Sequence, residues 1–193
     1  MDQAYEVNKT FDKINFEESL LPKGEYENCT FNNCNFSNAK LSEIKFMDCN
    51  FYDCNLSIAK LTNTLFRDVK FKDCKMLGLR FDTCSDFGLS FTFENCTLDH
   101  STFYKKKIKK TSFKNSQLFE VDFTESDLTE SIFDNCILTN AKFERTILDK
   151  ADFTSAQNYS IDPEMNRIKK AKFSSSQLSG LLDKYDIVID RNN

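Results

Sequence analysis

The sequence has no tryptophan, one histidine, four glycines and two prolines. Each shortage excludes something. His100, alone in "CTLDHSTF", cannot complete a Ser-His-Asp or Cys-His set, and no second imidazole exists to help hold a metal. With four glycines a phosphate-cradling GxxxxGK[ST] loop has little to be built from, and none occurs. Turns draw on glycine and proline, so their scarcity predicts a fold with few irregular loops. No run approaches the roughly 18 apolar residues of a membrane span, and "MDQAYEVNKTF" has no apolar core of a secretory signal. A soluble, cytoplasmic, non-enzymatic chain is expected, without cofactor or metal.

What is abundant is phenylalanine, 20 residues of it, and cysteine, with eight. Both are strictly placed. In "CTFNNCNFSNAKLSEIKFMDCNFYDCNLSIAKL" a large apolar residue recurs every fifth position: Phe31, Phe36, Leu41, Phe46, Phe51, Leu56 and Leu61. An α-helix repeats near 3.6 and a strand at 2.0, so neither accounts for this period. The register begins at Phe11, reaches Phe81, shifts by two residues, and resumes from Phe93 to Phe153. Two places before each large residue stands a small one. Cys29, Cys34, Cys49, Cys54, Cys74, Cys84, Cys96 and Cys136 all take that slot, in competition with Ala and Ser. They read as small buried hydrophobes, not as disulfide or zinc ligands.

A fixed short period signals a repeat architecture. The stretches "NCTFNNCNFSNAKL", "ESDLTESIF" and "NAKFERTILDKADF" resemble the pentapeptide-repeat family, A(D/N)Lxx. The resemblance covers about residues 11–158. It implies an all-β, right-handed quadrilateral β-helix in which each five-residue unit forms one side of a square and four units make a coil. The sequence carries a check on this. At a spacing of 20, Phe113, Phe133 and Phe153 form one column and Phe103, Phe123 and Phe143 another, with aliphatic columns between them. Coils stacked at about 4.8 Å would give a rod of seven or so turns.

Two regions depart from the period. In "DTCSDFGLSFTFENC" Asp86 falls where a large residue belongs. A two-residue bulge near 82–92 is expected, with Gly88 supplying an unusual backbone angle. The segment 1–158 thus reads as the repeat rod and 159–193 as a C-terminal cap. There "SSQLSGLLDKYDIVI" suggests a short helix followed by an apolar strand. Leu178, Leu181, Leu182, Tyr185, Ile187 and Ile189 are candidates for a homodimer interface. The ending is similar in pattern to the Qnr and MfpA branch of the family, in which a C-terminal element joins two rods.

Charge is banded. Residues 1–60 carry ten acids and six bases, 61–110 six acids and ten bases, 111–160 nine acids and four bases, and 161–193 five acids and six bases. The basic band culminates in "YKKKIKK", Lys105 to Lys110. Lys106 occupies an inward slot, which predicts a local bulge or a stem that carries the ammonium outward. Direct nucleic-acid binding is not expected, because no flanking aromatic is free for base stacking. In the acidic band, Glu120, Asp122, Glu125, Asp127, Glu130 and Asp134 point outward. The resemblance to Qnr and MfpA implies that such acids mimic DNA phosphates and bind a type II topoisomerase, DNA gyrase or topoisomerase IV, opposing quinolones. The chain lacks the long projecting loops of many Qnr members, and the basic band is foreign to a pure DNA mimic. The alternative reading is a generic protein-protein interaction scaffold.

Overall fold

A computed structural model describes residues 4–190. Residues 1–3 and 191–193, the extremities of the two segments expected from the sequence, lie outside the described residues. The chain winds into a right-handed quadrilateral β-helix with four ladders of parallel pairing. The first face is a nine-stranded parallel sheet. It starts at Thr10–Asp12, passes through Asn50–Tyr52, Phe91–Glu94 and Ile132–Asp134, and ends at Lys172–Phe173. Nine strands on one face bound eight turns, one more than the period alone suggests, because the coil continues past Phe153 to pair Phe153 with Phe173. The second and third faces are ladders of single bridges, such as Asn35 with Asn55 and Asp122 with Lys142. The fourth face starts as a four-stranded sheet from Ala4–Val7 to Leu65–Arg67. It continues as bridges from Lys107 to Arg167.

The interior is a column of aromatic rings. Along the first face Phe11, Phe31, Phe51, Phe71, Phe93, Phe113, Phe133, Phe153 and Phe173 stack with successive centroids 4.6–5.4 Å apart. The coil rise sets that spacing, and offset stacking is favourable at it. A second aromatic column accompanies the first but changes place. It runs on the fourth face through Tyr26, Phe46 and Phe66, then on the third through Phe81, Phe103, Phe123 and Phe143.

The phase break is where this change occurs. Ser85 N–H reaches the carbonyl of Thr64, and Ser90 N–H that of Phe66, so residues 86–89 loop out between two ladder bonds. Gly88 there has φ +63°. Asp86 faces outward, and the space it leaves is filled from the next side by Phe91, whose ring lies 5.3 Å from Phe81 and 5.9 Å from Phe103. Lys106 contradicts both expectations made for it. Its backbone keeps the regular bonds, to Phe103 O and from Asp127 N, and its side chain is only 7% exposed. The ammonium donates to Cys84 O at 2.7 Å and to Asp86 Oδ1 at 2.6 Å. A buried ammonium is tolerable when both a carbonyl and a carboxylate receive it.

The small slots have a polar logic as well. Cys54 Sγ donates to Phe31 O, Thr64 Oγ1 to Leu41 O, Ser101 Oγ to Met76 O and Thr146 Oγ1 to Phe123 O, each reaching the coil before. A small residue with one donor therefore both fits and satisfies a buried carbonyl. All eight thiols are free and buried, and burial pushes those of Cys49 and Cys136 up to about 12.

Scarce glycine does not mean scarce turns. Nearly every side ends in a residue with positive φ, and most of these are Asn or Asp, including Asn28, Asn33, Asp48, Asp53, Asn115 and Asn135. Their short polar side chains tolerate the left-handed region. Lys, Glu, Arg and His fill most of the other corners, and Ile58, at φ +53°, is the one β-branched residue among the described corners, where it is strained. Replacing it, Ile58→Asn, should raise stability by about 1 kcal/mol, measured by chemical denaturation. An unchanged or lower midpoint would show that its half-exposed packing outweighs the strain.

The C-terminal run ends in 3₁₀ turns at Ser175–Leu181 and Asp183–Tyr185. Residues 186–190 make no strand, contrary to the expected apolar strand. After Lys172–Phe173 the two 3₁₀ turns carry the chain off the sheet, and residues 187–190 make no backbone hydrogen bond to it.

Candidate protein-interaction surface

The six outward acids of the acidic band do not share a face. They girdle a single coil, because successive pentapeptides turn through successive sides. Glu120, Glu125 and Glu130 stand at three consecutive corners, each with positive φ. Asp122 lies on the third face and Asp127 on the fourth, both in bridge ladders. Asp134 ends the strand Ile132–Asp134 on the first face.

Nor are most of them free. A separation of 20 residues sets one coil directly on the next, so the basic band meets the acidic one. Glu125 lies between Lys105 at 3.5 Å and Arg145 at 2.9 Å. Glu130 lies between Lys110 at 3.8 Å and Lys150 at 2.7 Å. Asp127 meets Lys109 at 3.1 Å, and Glu120 meets His100 Nδ1 at 3.1 Å. Asp122 and Asp134 have no cation within 4 Å among the described residues; Asp122 accepts from Thr124 N–H and Asp134 from the Ser155 hydroxyl. The charge bands of the sequence therefore largely cancel along the rod axis.

These pairs move titrations in one direction. The hydrogen bond from Arg145 holds the Glu125 carboxyl below its usual range, and Lys150 does the same for Glu130. Partial burial pushes Asp127 up, but the bonds from Thr129 and Lys109 prevail and leave it lowered. Lys184 lowers Asp162 and Glu164 in the C-terminal turn. A carboxyl with a depressed folded pKa contributes stability that is complete above its unfolded value, about 4. That contribution disappears as pH falls through the lower folded value. Denaturation midpoints should hold from pH 7 to about pH 5 and decline below about pH 4. A midpoint unchanged at pH 3 would show that the ladders contribute nothing.

One aromatic near the lysine run is accessible after all. Tyr104 is 37% exposed, with the Lys105 ammonium 4.8 Å from its ring centre. Sequence reasoning passed over it because Tyr104 falls in an ordinary outward place.

The dimer candidates divide into two groups. Leu181 packs on the core and Leu182 is half-buried, so these serve the cap. Leu178, Tyr185, Ile187 and Ile189 are exposed, together with Val188 at 98%. Lys184 bridges Asp162 at 2.7 Å and Glu164 at 2.6 Å, and Tyr185 donates to Glu164, which ties the last turn to the coil beneath. Among the described residues no three His, Cys, Asp or Glu side chains converge as a metal site, and no helix is long and apolar enough to cross a membrane.

The family model for the pentapeptide repeat region matches residues 24–103 and 89–181. The chain belongs to the pentapeptide-repeat family. A search of the curated proteins finds no match. Among solved structures, a trypsin-treated form of QnrB1, a plasmid-mediated fluoroquinolone resistance protein, is similar at a TM-score of 0.63 and 19% identity over 99% of this chain and 100% of that one. Full-length QnrB1 is similar at a TM-score of 0.56 and 20% identity over 94% and 99%. At these identities the likeness is one of fold.

Proposed function

We propose that this pentapeptide-repeat protein is a non-enzymatic, cytoplasmic binding protein. In this reading it engages a type II topoisomerase, DNA gyrase or topoisomerase IV, as a DNA-mimicking rod, and dimerises through its C-terminal end. The observation that carries the reading is a rod of eight turns, broken only by the excursion at 86–89, that shares the fold of QnrB1 over 99% of this chain and has an interior filled by its own side chains. A filled interior leaves interaction at the outer surface as the available chemistry. Exposed Leu178, Tyr185, Ile187 and Ile189 support self-association at one end. The topoisomerase contact would centre on the coil of Glu120, Asp122, Glu125, Asp127, Glu130 and Asp134. Asp122 and Asp134, the two with no basic side chain beside them, contribute most.

The second reading, a scaffold for some other protein, is favoured by one observation. Lysines and an arginine of neighbouring coils occupy Glu125, Asp127 and Glu130, half of the six carboxylates a DNA mimic would present, and His100 meets a fourth, Glu120. The two readings separate in a gyrase supercoiling assay with increasing protein, with and without a fluoroquinolone. The topoisomerase reading expects inhibition at high protein or relief of the drug at low protein. It also expects the double variant Asp122→Asn with Asp134→Asn to weaken either effect while leaving the fold intact. Absence of any effect on gyrase and topoisomerase IV would leave the scaffold reading.

A further inference from the structure

The first coil differs from those stacked on both sides in being open at its outer end. Its strand Thr10–Asp12 stands at the edge of the nine-stranded sheet and pairs, among the described residues, only with Thr30–Asn32. Lys9 O receives Thr30 N–H, and Lys13 N–H reaches Asn32 O. The odd residues therefore bond to the second coil, and Thr10 and Asp12 aim their N–H and C=O groups at the open end. Phe11 and Ile14 are only half-buried there, whereas their counterparts one coil on, Phe31 and Cys34, are sealed.

The other end of the rod carries a segment that lacks what this edge offers. Residues 187–190 make no backbone hydrogen bond among the described residues. Ile187, Val188 and Ile189 are β-branched, which suits a pleated strand, and all three are exposed, Val188 at 98%. The segment cannot reach the edge of its own chain. Eight turns at about 4.8 Å put roughly 38 Å between the two, and five extended residues span about 17 Å. The charges match. Lys9 and Lys13 flank the edge strand four residues apart, and Asp186 and Asp190 flank the tail at the same spacing. With Val188 beside Phe11, the aspartates fall opposite the lysines whichever way the strands run, and Asp12 falls opposite an isoleucine. Lys9 pairs with Glu6, and Lys13 meets a carboxylate only at 3.9 Å, that of Asp12 beside it.

We propose that the segment 186–190 of one copy adds as a strand to Thr10–Asp12 of a second copy, joining rods end to end. Backbone hydrogen bonds at the open sheet edge supply affinity. Covering the Phe11 ring with Val188 adds to it, and the lysine–aspartate pairs fix the register. The inference rests on the self-association at the C-terminal end read above and names the surface that receives it. The contact is heterologous, so a joined pair keeps one free edge and one free tail, and longer chains can follow.

Sedimentation velocity and hydrogen exchange of the full chain over a concentration series test this. Masses of two, three and more rods should appear as concentration rises, with exchange at the Thr10 and Asp12 amides slowing in step. Lys9→Asp with Lys13→Asp should weaken association about tenfold, and so should Asp186→Lys with Asp190→Lys. All four side chains are exposed, and denaturation midpoints check that each variant remains folded. Mixing the two variants should restore association, because every mixed junction again sets lysines against aspartates. A closed dimer indifferent to the Lys9 and Lys13 changes would overturn the proposal and leave C-terminal dimerisation standing. A monomer at every concentration would overturn both, while the topoisomerase contact is read by its own assay. Failure of the mixture to reassociate would overturn the proposed pairing.

Discussion

Phe123→Ala should cost about 3–5 kcal/mol of unfolding free energy. The ring is fully buried. It stacks between Phe103 at 5.3 Å and Phe143 at 5.2 Å and meets Phe113 and Phe133 edge-on at 5.9 Å. Truncation removes four aromatic contacts and leaves a cavity that the neighbours cannot collapse into, because the ladder holds them at the coil rise. In a solenoid each coil is supported only by its neighbours. A loss of this size in the middle of the stack should therefore broaden or split the unfolding transition, not merely lower its midpoint. Guanidinium denaturation monitored by circular dichroism reads both. A loss below about 1 kcal/mol would mean that the aromatic column is not the main source of stability.

Gly180→Val should dislodge the C-terminal cap. A Cβ at Gly180 would sit 2.1 Å from Tyr159 O and 2.9 Å from its ring, and backbone cannot yield as a flexible side chain can. Gly180 O also accepts from Ile161 N–H at 2.8 Å, so the turn cannot move away without losing a coil-to-coil bond. Overpacking of this kind costs about 3 kcal/mol. Hydrogen exchange should rise at Ile161 and Ala171 and remain unchanged at Phe51. The same variant bears on self-association. Sedimentation that shows a dimer for the parent chain and a monomer for the variant supports the C-terminal end as the interface. A variant that stays dimeric with a released cap removes it from that role.

Much of the architecture was legible because the interior of this fold admits one kind of pattern. A side of five residues sends one large and one small side chain inward, and the remaining three outward. Phe113, Phe133 and Phe153 could be assigned to one column from their spacing alone. The Lys106–Asp86 pair was not legible in this way, since across the break one coil spans 22 residues: the in-register neighbour of Lys106 is Cys84, and Asp86 reaches its ammonium only from the excursion. The acidic coil misled for a related reason. Glu125 looks free along the chain, and only stacking puts Lys105 beneath it and Arg145 above. The cap was the least legible part, because once the period lapses after Phe153 an apolar run such as Ile187–Ile189 is compatible with strand, core or interface.

By itself the sequence determined the period of five, the coil of twenty, the identity of the inward residues and the place of the phase break. These are consequences of side-chain volume and polarity, which local order records directly. Only the tertiary structure decided that the second aromatic column moves from the fourth face to the third at Phe81, that Lys106 stays inside, and that the basic and acidic bands neutralise one another. Each of those depends on which atoms of adjacent coils come within a few ångströms. A repeat specifies that coils stack, but the partners of its outward charges and the repair of its one irregularity are set by contacts across the stack.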